Sequence, residues 1–374
     1  MRDLLVTTHT PVLRSGQTMR TYGIARALAA AGDGVTLLYA RFEGDQPDEA
    51  FGSIPGIELE EVLPSRGARR AGAYALARLR GTPAGFARGA SPELADATDR
   101  LAAAPGRGRV IADGPIAAAA LRGLSRRRPV VYNAHNLESG FRGDLREGGG
   151  SLRALRRFER GVLARASESW MVSEAELAAA AELCPRARLR YVPNVVDVAA
   201  ISPVTELADE QRALFVANFA YEPNRNGLRF LLERVMPLVW ERVPEARLML
   251  VGPGLDAPPS RDPRIEAVGF VDELADAYRR SRCALVPLLQ GGGTPLKFVE
   301  ALAYGVPVLA TPRAAAGLGV TDGRDCVLAE GERDFADALV ALLESGGQQI
   351  GARGRALAAD RYSIEALTGL LAAE

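Results

Sequence analysis

CALVPLLQGGGTPLKFVEALAYGVPVLATP, residues 283–312, reads as a strand, a glycine loop, a helix and a second strand in quick succession. Its apolar runs, CALVPLL and VPVLATP, suit strands buried on both faces of a parallel sheet, with the helix between them as the crossover. That helix carries its own punctuation. Thr294 suits the N-cap, Pro295 the first helical position and Gly305 the stop. Gly291, Gly292 and Gly293 have no Cβ, so their amides can approach a ligand closely. The free amides of the first helical turn point the same way, and the assembly favours a bound anion. Lys297, the only lysine among 46 basic residues, falls in that turn. A cation there opposes the helix dipole by roughly 0.3 to 1 kcal/mol unless an anion docks nearby. A phosphate reverses the sign, and a slim ammonium reaches one more easily than a broad guanidinium.

Helical spacing divides the segment further. Leu296, Val299, Leu302 and Ala303 share the side expected to pack on the sheet, while Lys297, Glu300 and Tyr304 share another. Glu300 is placed to accept two vicinal hydroxyls, as a ribose presents. The competing reading is an exposed Lys297–Glu300 pair at i, i+3, worth roughly a few tenths of a kcal/mol.

Working outward, the same scheme repeats along the chain. DLLVTTH, GVTLLYAR, RVIADGP, PVVYNAH and ESWMVSE read as strands in the first half, with helical patterns at 18–31 and 151–166 between them. ALFVANF, RLMLVGPG, IEAVGFV, CALVPLL and VPVLATP follow in the second, separated by helix-length segments such as 226–242 and 271–281. Two Rossmann-like, doubly wound α/β domains in tandem would set the carboxyl ends of their strands, where ligands bind, on either side of an interdomain cleft. The break falls near YVPNVVDVAAISPVTELADEQ, giving an amino-terminal domain over 1–198, a carboxy-terminal one over 199–360 and a last helix over 361–374. Charge divides with it: residues 1–200 hold 28 arginines against 22 acidic residues, and 201–374 hold 18 basic against 24 acidic.

Composition excludes several classes. Length and a 48% hydrophobic content fit about two globular domains. Cys184, Cys283 and Cys326 are too scattered for a disulfide framework or a thiolate metal site, which suits a reduced, cytoplasmic setting. MRDLLVTTHTPV is too short in its apolar run for a signal peptide, and no stretch approaches a membrane span. VGPGLDAPPS lacks the third glycine of a dinucleotide fingerprint, so an NAD-dependent oxidoreductase is disfavoured. Nucleic acid is disfavoured because no basic patch is interleaved with aromatics. Arg69, Arg70, Arg78 and Arg80, then Arg153, Arg156, Arg157 and Arg160, lie on helical surfaces. They read first as solvated faces, with peripheral contact to an anionic inner membrane surface as the alternative.

At this point the residues carry a resemblance. GGGTPLKFVEALAYGVPVLAT resembles the donor-site segment of GT-B fold glycosyltransferases, specifically the retaining enzymes of glycosyltransferase family 4. SGQTMRTYGIARALAAAGDGVTLL, PVVYNAHNLES, YVPNVVD, ALFVANFAYEPNRNGLRFL and VGFVDELADAYRRSRCALVP resemble further family segments in the same order. The likeness covers almost the whole chain. It implies sugar transfer from a nucleotide-diphosphate sugar, GDP- or UDP-linked, to an unidentified acceptor, with retention and without a tightly bound metal. By position, Glu300 matches the glutamate that holds the nucleotide ribose, and Gly291 to Thr294 match the loop beside the diphosphate and sugar. Ser15 and Gly16 match the amino-domain loop that closes over the phosphates. His135 matches the histidine near the reacting centre; a satisfied, partly buried histidine is its alternative reading. His9, at the end of the first strand, fits loop capping as well as substrate contact.

Three departures accompany the resemblance. Gly292 stands where many members carry the first of two glutamates. The family's arginine and lysine after the first donor-domain strand fall near Asn218 and Asn226, so Lys297, Arg225 or Arg229 must neutralise the diphosphate. The crossing reads Asn194, Val195, Val196 and Asp197 where the family has a glycine second. A sugar-nucleotide epimerase of the same fold, or a catalytically degenerate sugar-nucleotide-binding scaffold, are the competing functions.

Overall fold

A computed structural model describes residues 1–13, 15–41, 46–140, 149–255, 257, 259–290 and 294–372. The glycines Gly291, Gly292 and Gly293 lie outside the described residues. The chain forms two compact units, one comprising Met1–Asn194 with Ile364–Glu374 and the other Val195–Ser363.

Unit 1 is built on strands β1 (Arg2–Thr7), β2 (Val35–Ala40), β3 (Ile57–Val62), β4 (Arg107–Asp113), β5 (Val131–Asn133), β6 (Glu168–Met171) and β7 (Leu189–Tyr191). They form one sheet in the order β3-β2-β1-β4-β5-β6-β7, every pairing parallel. The central strands β1 and β2 are apolar and covered on both faces, as a parallel sheet requires. The helix Ile364–Ala372 packs on the helix Gly16–Ala31 and returns the chain to this unit.

Unit 2 repeats the plan with β8 (Arg212–Val216), β9 (Arg247–Val251), β10 (Ile265–Gly269), β11 (Cys283–Val286), β12 (Val308–Ala310) and β13 (Val327–Leu328), in the order β10-β9-β8-β11-β12-β13, again all parallel. Alternate side chains feed two cores: Leu214, Met249 and Ala284 on one face, Phe215, Leu250 and Leu285 on the other. In both units the strand order reverses at the first strand, between β1 and β4 and between β8 and β11. Just beyond the carboxyl ends of those neighbours lies the ligand locus of an open α/β sheet.

All ten strands expected from sequence are present; β3, β7 and β13 were not foreseen. The helix expected at 226–242 is an α-helix over Glu222–Phe230, a π-helical turn over Leu231–Val235 and a further α-helix over Met236–Arg242. Pro237 explains the widening, since its ring cannot accept the standard α-helical register. The segment expected to be helical at 271–281 holds only Ala275–Arg279.

Candidate active site

In unit 2 the helix Leu296–Tyr304 starts one residue later than the cap reading placed it. Its N-cap is Pro295, whose ψ of 111° is extended, and Thr294 is 5% exposed rather than capping. The extended ψ of Pro295 keeps it outside the helix, so the first helical residue is Leu296. Lys297 is therefore the second helical residue, and the amides of Leu296 and Lys297 donate to no acceptor among the described residues. Phe298, Val299, Leu302 and Ala303 are buried on the sheet side, and Gly305 closes the helix in the left-handed conformation at φ 76°.

Lys297 lies 5.2 Å from the ring centre of Phe215 on β8, and its Nζ donates to the Asn224 side-chain oxygen. Asn224 in turn donates through Nδ2 to the Asn218 carbonyl at 2.8 Å, which fixes its amide so that the oxygen faces the ammonium. Asn218 shapes the loop after β8, its Oδ1 accepting from the Ala220 amide at 2.9 Å. The turn after β9 supports this loop: Gly252, at φ 132°, lies so close that a Cβ there would stand 1.9 Å from the Ala217 carbonyl oxygen. Arg225 is exposed beside Asn224 and makes no ion pair among the described residues.

Glu300 lies one turn on from Lys297 and forms no ion pair with it among the described residues, which removes the exposed-pair reading. Protein crowds both side chains on nearly every side while each keeps some contact with solvent. Burial pulls the Lys297 ammonium down to about 7 and pushes the Glu300 carboxyl up to about 7. Behind Glu300, Tyr304 stacks on Tyr278 with ring centres 4.1 Å apart.

In unit 1 the corresponding locus is organised by a residue the sequence reading took only as part of a strand. Asp113, 2% exposed at the end of β4, accepts from Thr21 Oγ1 at 2.6 Å, Asn133 Nδ2 at 2.7 Å and His135 Nε2 at 2.8 Å. Burial works to raise its pKa, but the His135 and His9 rings and the Thr21 hydroxyl outweigh it and hold it well below the carboxylate range. Because Nε2 of His135 faces a carboxylate, that nitrogen carries the proton and Nδ1 is left as the open position. Gly114, at φ 82°, lets the ring lie flat against the backbone; a Cβ there would stand 2.9 Å from its Cε1.

Arg20, 2% exposed, anchors the assembly by donating to Asn133 Oδ1, the Val192 carbonyl and Asn194 Oδ1. His9 approaches the Thr7 and Thr21 hydroxyls, its ring centre 6.3 Å from that of His135. The loop after His135 is held by two buried carboxylates, Glu176 accepting from the Leu137 amide and Glu159 from the Ser139 amide. Ser15 and Gly16 are exposed where the helix Gly16–Ala31 begins, with the Ser15 hydroxyl accepting from the Thr18 amide in a capping box.

The structure thus links Lys297 and Asn218 through Asn224 at the β8–β11 switch, with Thr294 buried just before the helix of Lys297, and places His135 at the β1–β4 switch, while Arg225 stands exposed next to Asn224. Sequence reasoning missed Asn224, Asp113, Asn133 and Arg20. An aspartate at a strand's carboxyl end followed by Gly-Pro, as in IADGP, was the available signal.

Family models match both units: the glycosyl transferase 4-like domain over residues 15–195 and glycosyl transferases group 1 over residues 210–345. No curated protein matches the chain in sequence. Among solved structures it is similar to sucrose-phosphate synthase from Thermosynechococcus elongatus, at 17% identity and TM-score 0.72, with 99% of this chain and 97% of that one covered. HepE of Anabaena in complex with UDP and glucose is similar at 17% identity and TM-score 0.70, covering 99% and 98%. A TarM mutant of S. aureus, in complex with Fondaparinux, alpha-GlcNAc-glycerol and UDP, reaches TM-score 0.75 at 10% identity, covering 100% and 99%. With two parallel α/β sheets of the same strand order and family matches across both units, the chain belongs to the group 1 glycosyl transferases and is a glycosyltransferase of the GT-B fold.

Proposed function

We propose that unit 2 binds a nucleotide-diphosphate sugar and that the chain transfers its sugar, with retention and without a bound metal, to an acceptor. One observation carries the reading. Lys297, the only lysine, is crowded by protein, has no carboxylate partner among the described residues and stands beside two open amides of its helix. A cation and free amides at a helix start form a site that a diphosphate completes.

The chemistry then needs little beyond charge. As the bond between the anomeric carbon and the leaving phosphate oxygen breaks, negative charge grows on that oxygen, and Lys297 with the amides stabilises it. The acceptor oxygen bonds to the anomeric carbon, and its proton passes to the departing phosphate. Asn224 holds the ammonium in place, Glu300 accepts the ribose hydroxyls, and Asn218 and Thr294 line the donor locus; Gly291 to Gly293, outside the described residues, are the remaining residues proposed to meet the diphosphate and sugar. In unit 1 His135, oriented by Asp113, is the residue proposed to meet the donor sugar, and Ser15 and Gly16 the phosphates. Arg225, exposed and unpaired, is available to the same anion.

The UDP bound by HepE and TarM makes UDP the first candidate and GDP the second. A thermal-shift comparison of UDP, GDP, ADP and TDP with chelator present tests the reading: one diphosphate raises the melting temperature, and no shift with any of them would overturn it. Glu300→Gln is expected to weaken that nucleotide about tenfold, the worth of a hydrogen bond to a charged group. It should also raise the melting temperature above pH 7. Burial raises the Glu300 carboxyl from its ordinary 4.5 to about 7, so its cost to stability builds between those values and is fully present above about 7, where a neutral amide carries none. Equal affinity in the variant would remove Glu300 from the ribose.

A further inference from the structure

We infer that the helix Gly67–Leu79 is a docking surface for an anionic lipid bilayer. A surface helix ordinarily turns its apolar side inward and its charges outward. The helix Gly149–Leu163 does so: Leu155, Phe158 and Val162 are buried, and Arg153, Arg156, Arg157 and Arg160 form its solvated face. Gly67–Leu79 is the reverse. None of its residues is buried, and only Ala73, Tyr74 and Ala77 are half-covered, on the side that rests against the helix Ala84–Ala87. At 100° per residue the opposite, outward side carries Ala68, Gly72, Ala75, Leu76 and Leu79.

Leu76 is 47% exposed and Leu79 86%, and Leu63, just before the helix, is 62% exposed. Arg80 borders this stripe on one side, beside Arg69, which pairs with Glu93 at 3.2 Å, and Arg78 borders it on the other. No acidic residue occurs from Leu63 to Gly81. An outward apolar stripe between arginines, on a helix that carries no acidic residue of its own, is the pattern of a helix lying in a headgroup layer, its leucines at the acyl boundary and its guanidinium groups reaching phosphates. A protein partner of mixed charge would leave the one-signed arginine flanks unmatched; a negatively charged bilayer matches them. This surface is independent of the donor-binding reading.

Co-sedimentation of the whole protein with phosphatidylglycerol–phosphatidylcholine vesicles, against phosphatidylcholine alone, tests it. The wild type should bind the anionic vesicles, less so in high salt. Leu76→Ser with Leu79→Ser, and separately Arg78→Glu with Arg80→Glu, should each lower binding by about tenfold or more at unchanged melting temperature. Equal binding to both vesicle types, or binding unaffected by either pair, would overturn the inference. So would a wild-type dimer that the leucine pair converts to monomer, since a second copy would then be what covers the stripe.

Discussion

Lys297→Met weakens binding of the nucleotide diphosphate by about 10- to 100-fold and raises the melting temperature at neutral pH. The loss follows from removing a charge-assisted contact to phosphate, worth about 1.5 to 3 kcal/mol. The gain follows from burial. Lys297 titrates at about 7 in the fold, against an ordinary lysine value of 10.5. The folded protein therefore holds that proton more weakly than the unfolded chain does, and the cation burdens the fold fully below about 7. The burden fades as pH rises towards the ordinary lysine range. A methionine of similar length carries no such burden, so the stabilisation should be largest at pH 6 to 7 and shrink by pH 9. Calorimetry and melting curves at several pH values check both halves. Unchanged affinity with a lowered melting temperature would make Lys297 a structural residue.

Asp113→Ala destabilises unit 1 more than any other single change at the candidate site. It removes a buried carboxylate that three donors share and leaves Asn133 Nδ2 and His135 Nε2 unmet, while the Thr21 hydroxyl keeps the Gln17 carbonyl as acceptor. The expected cost is about 3 to 5 kcal/mol, or roughly 10 °C in melting temperature for a unit of this size. Asp113→Asn should cost less. It keeps the shape but presents an amide where one donor expects an acceptor, and it frees the tautomer of His135. Donor turnover should therefore fall in Asp113→Asn further than its melting temperature accounts for. Proportionate changes in both would reduce Asp113 to a packing residue.

The doubly wound architecture was legible because its central strands must be apolar on both faces, and β1, β2, β8, β9 and β11 announce themselves as such runs. The strands that escaped lie at or near sheet edges. β3 alternates half-buried and exposed residues with three glutamates, and β13 is two residues long, so neither carries that signature. Within the donor segment the order of loop, lysine and glutamate was readable, because Lys297 and Glu300 stand on a helix whose period fixes their relation. Its cap was not, because the helix begins one residue on, with Pro295 itself extended at the boundary, a difference no sequence pattern distinguishes. Asn224 and Asp113 were missed for a different reason. Each matters through partners far away in sequence: Lys297 for the first, Thr21 and His135 for the second. Only the folded sheet brings such partners together.

The most direct test of the central claim is the proton balance of nucleotide binding. At pH 8.5 free Lys297, titrating at about 7, is mostly neutral, and Glu300 is already ionised. A diphosphate docking on Lys297 raises its pKa, so binding should draw about one proton from solution, seen as a buffer-dependent enthalpy in calorimetry. The account predicts uptake in the wild type and none in Lys297→Met. Tight binding with no proton uptake, or with uptake that persists in the variant, would mean that the lysine does not hold the phosphate.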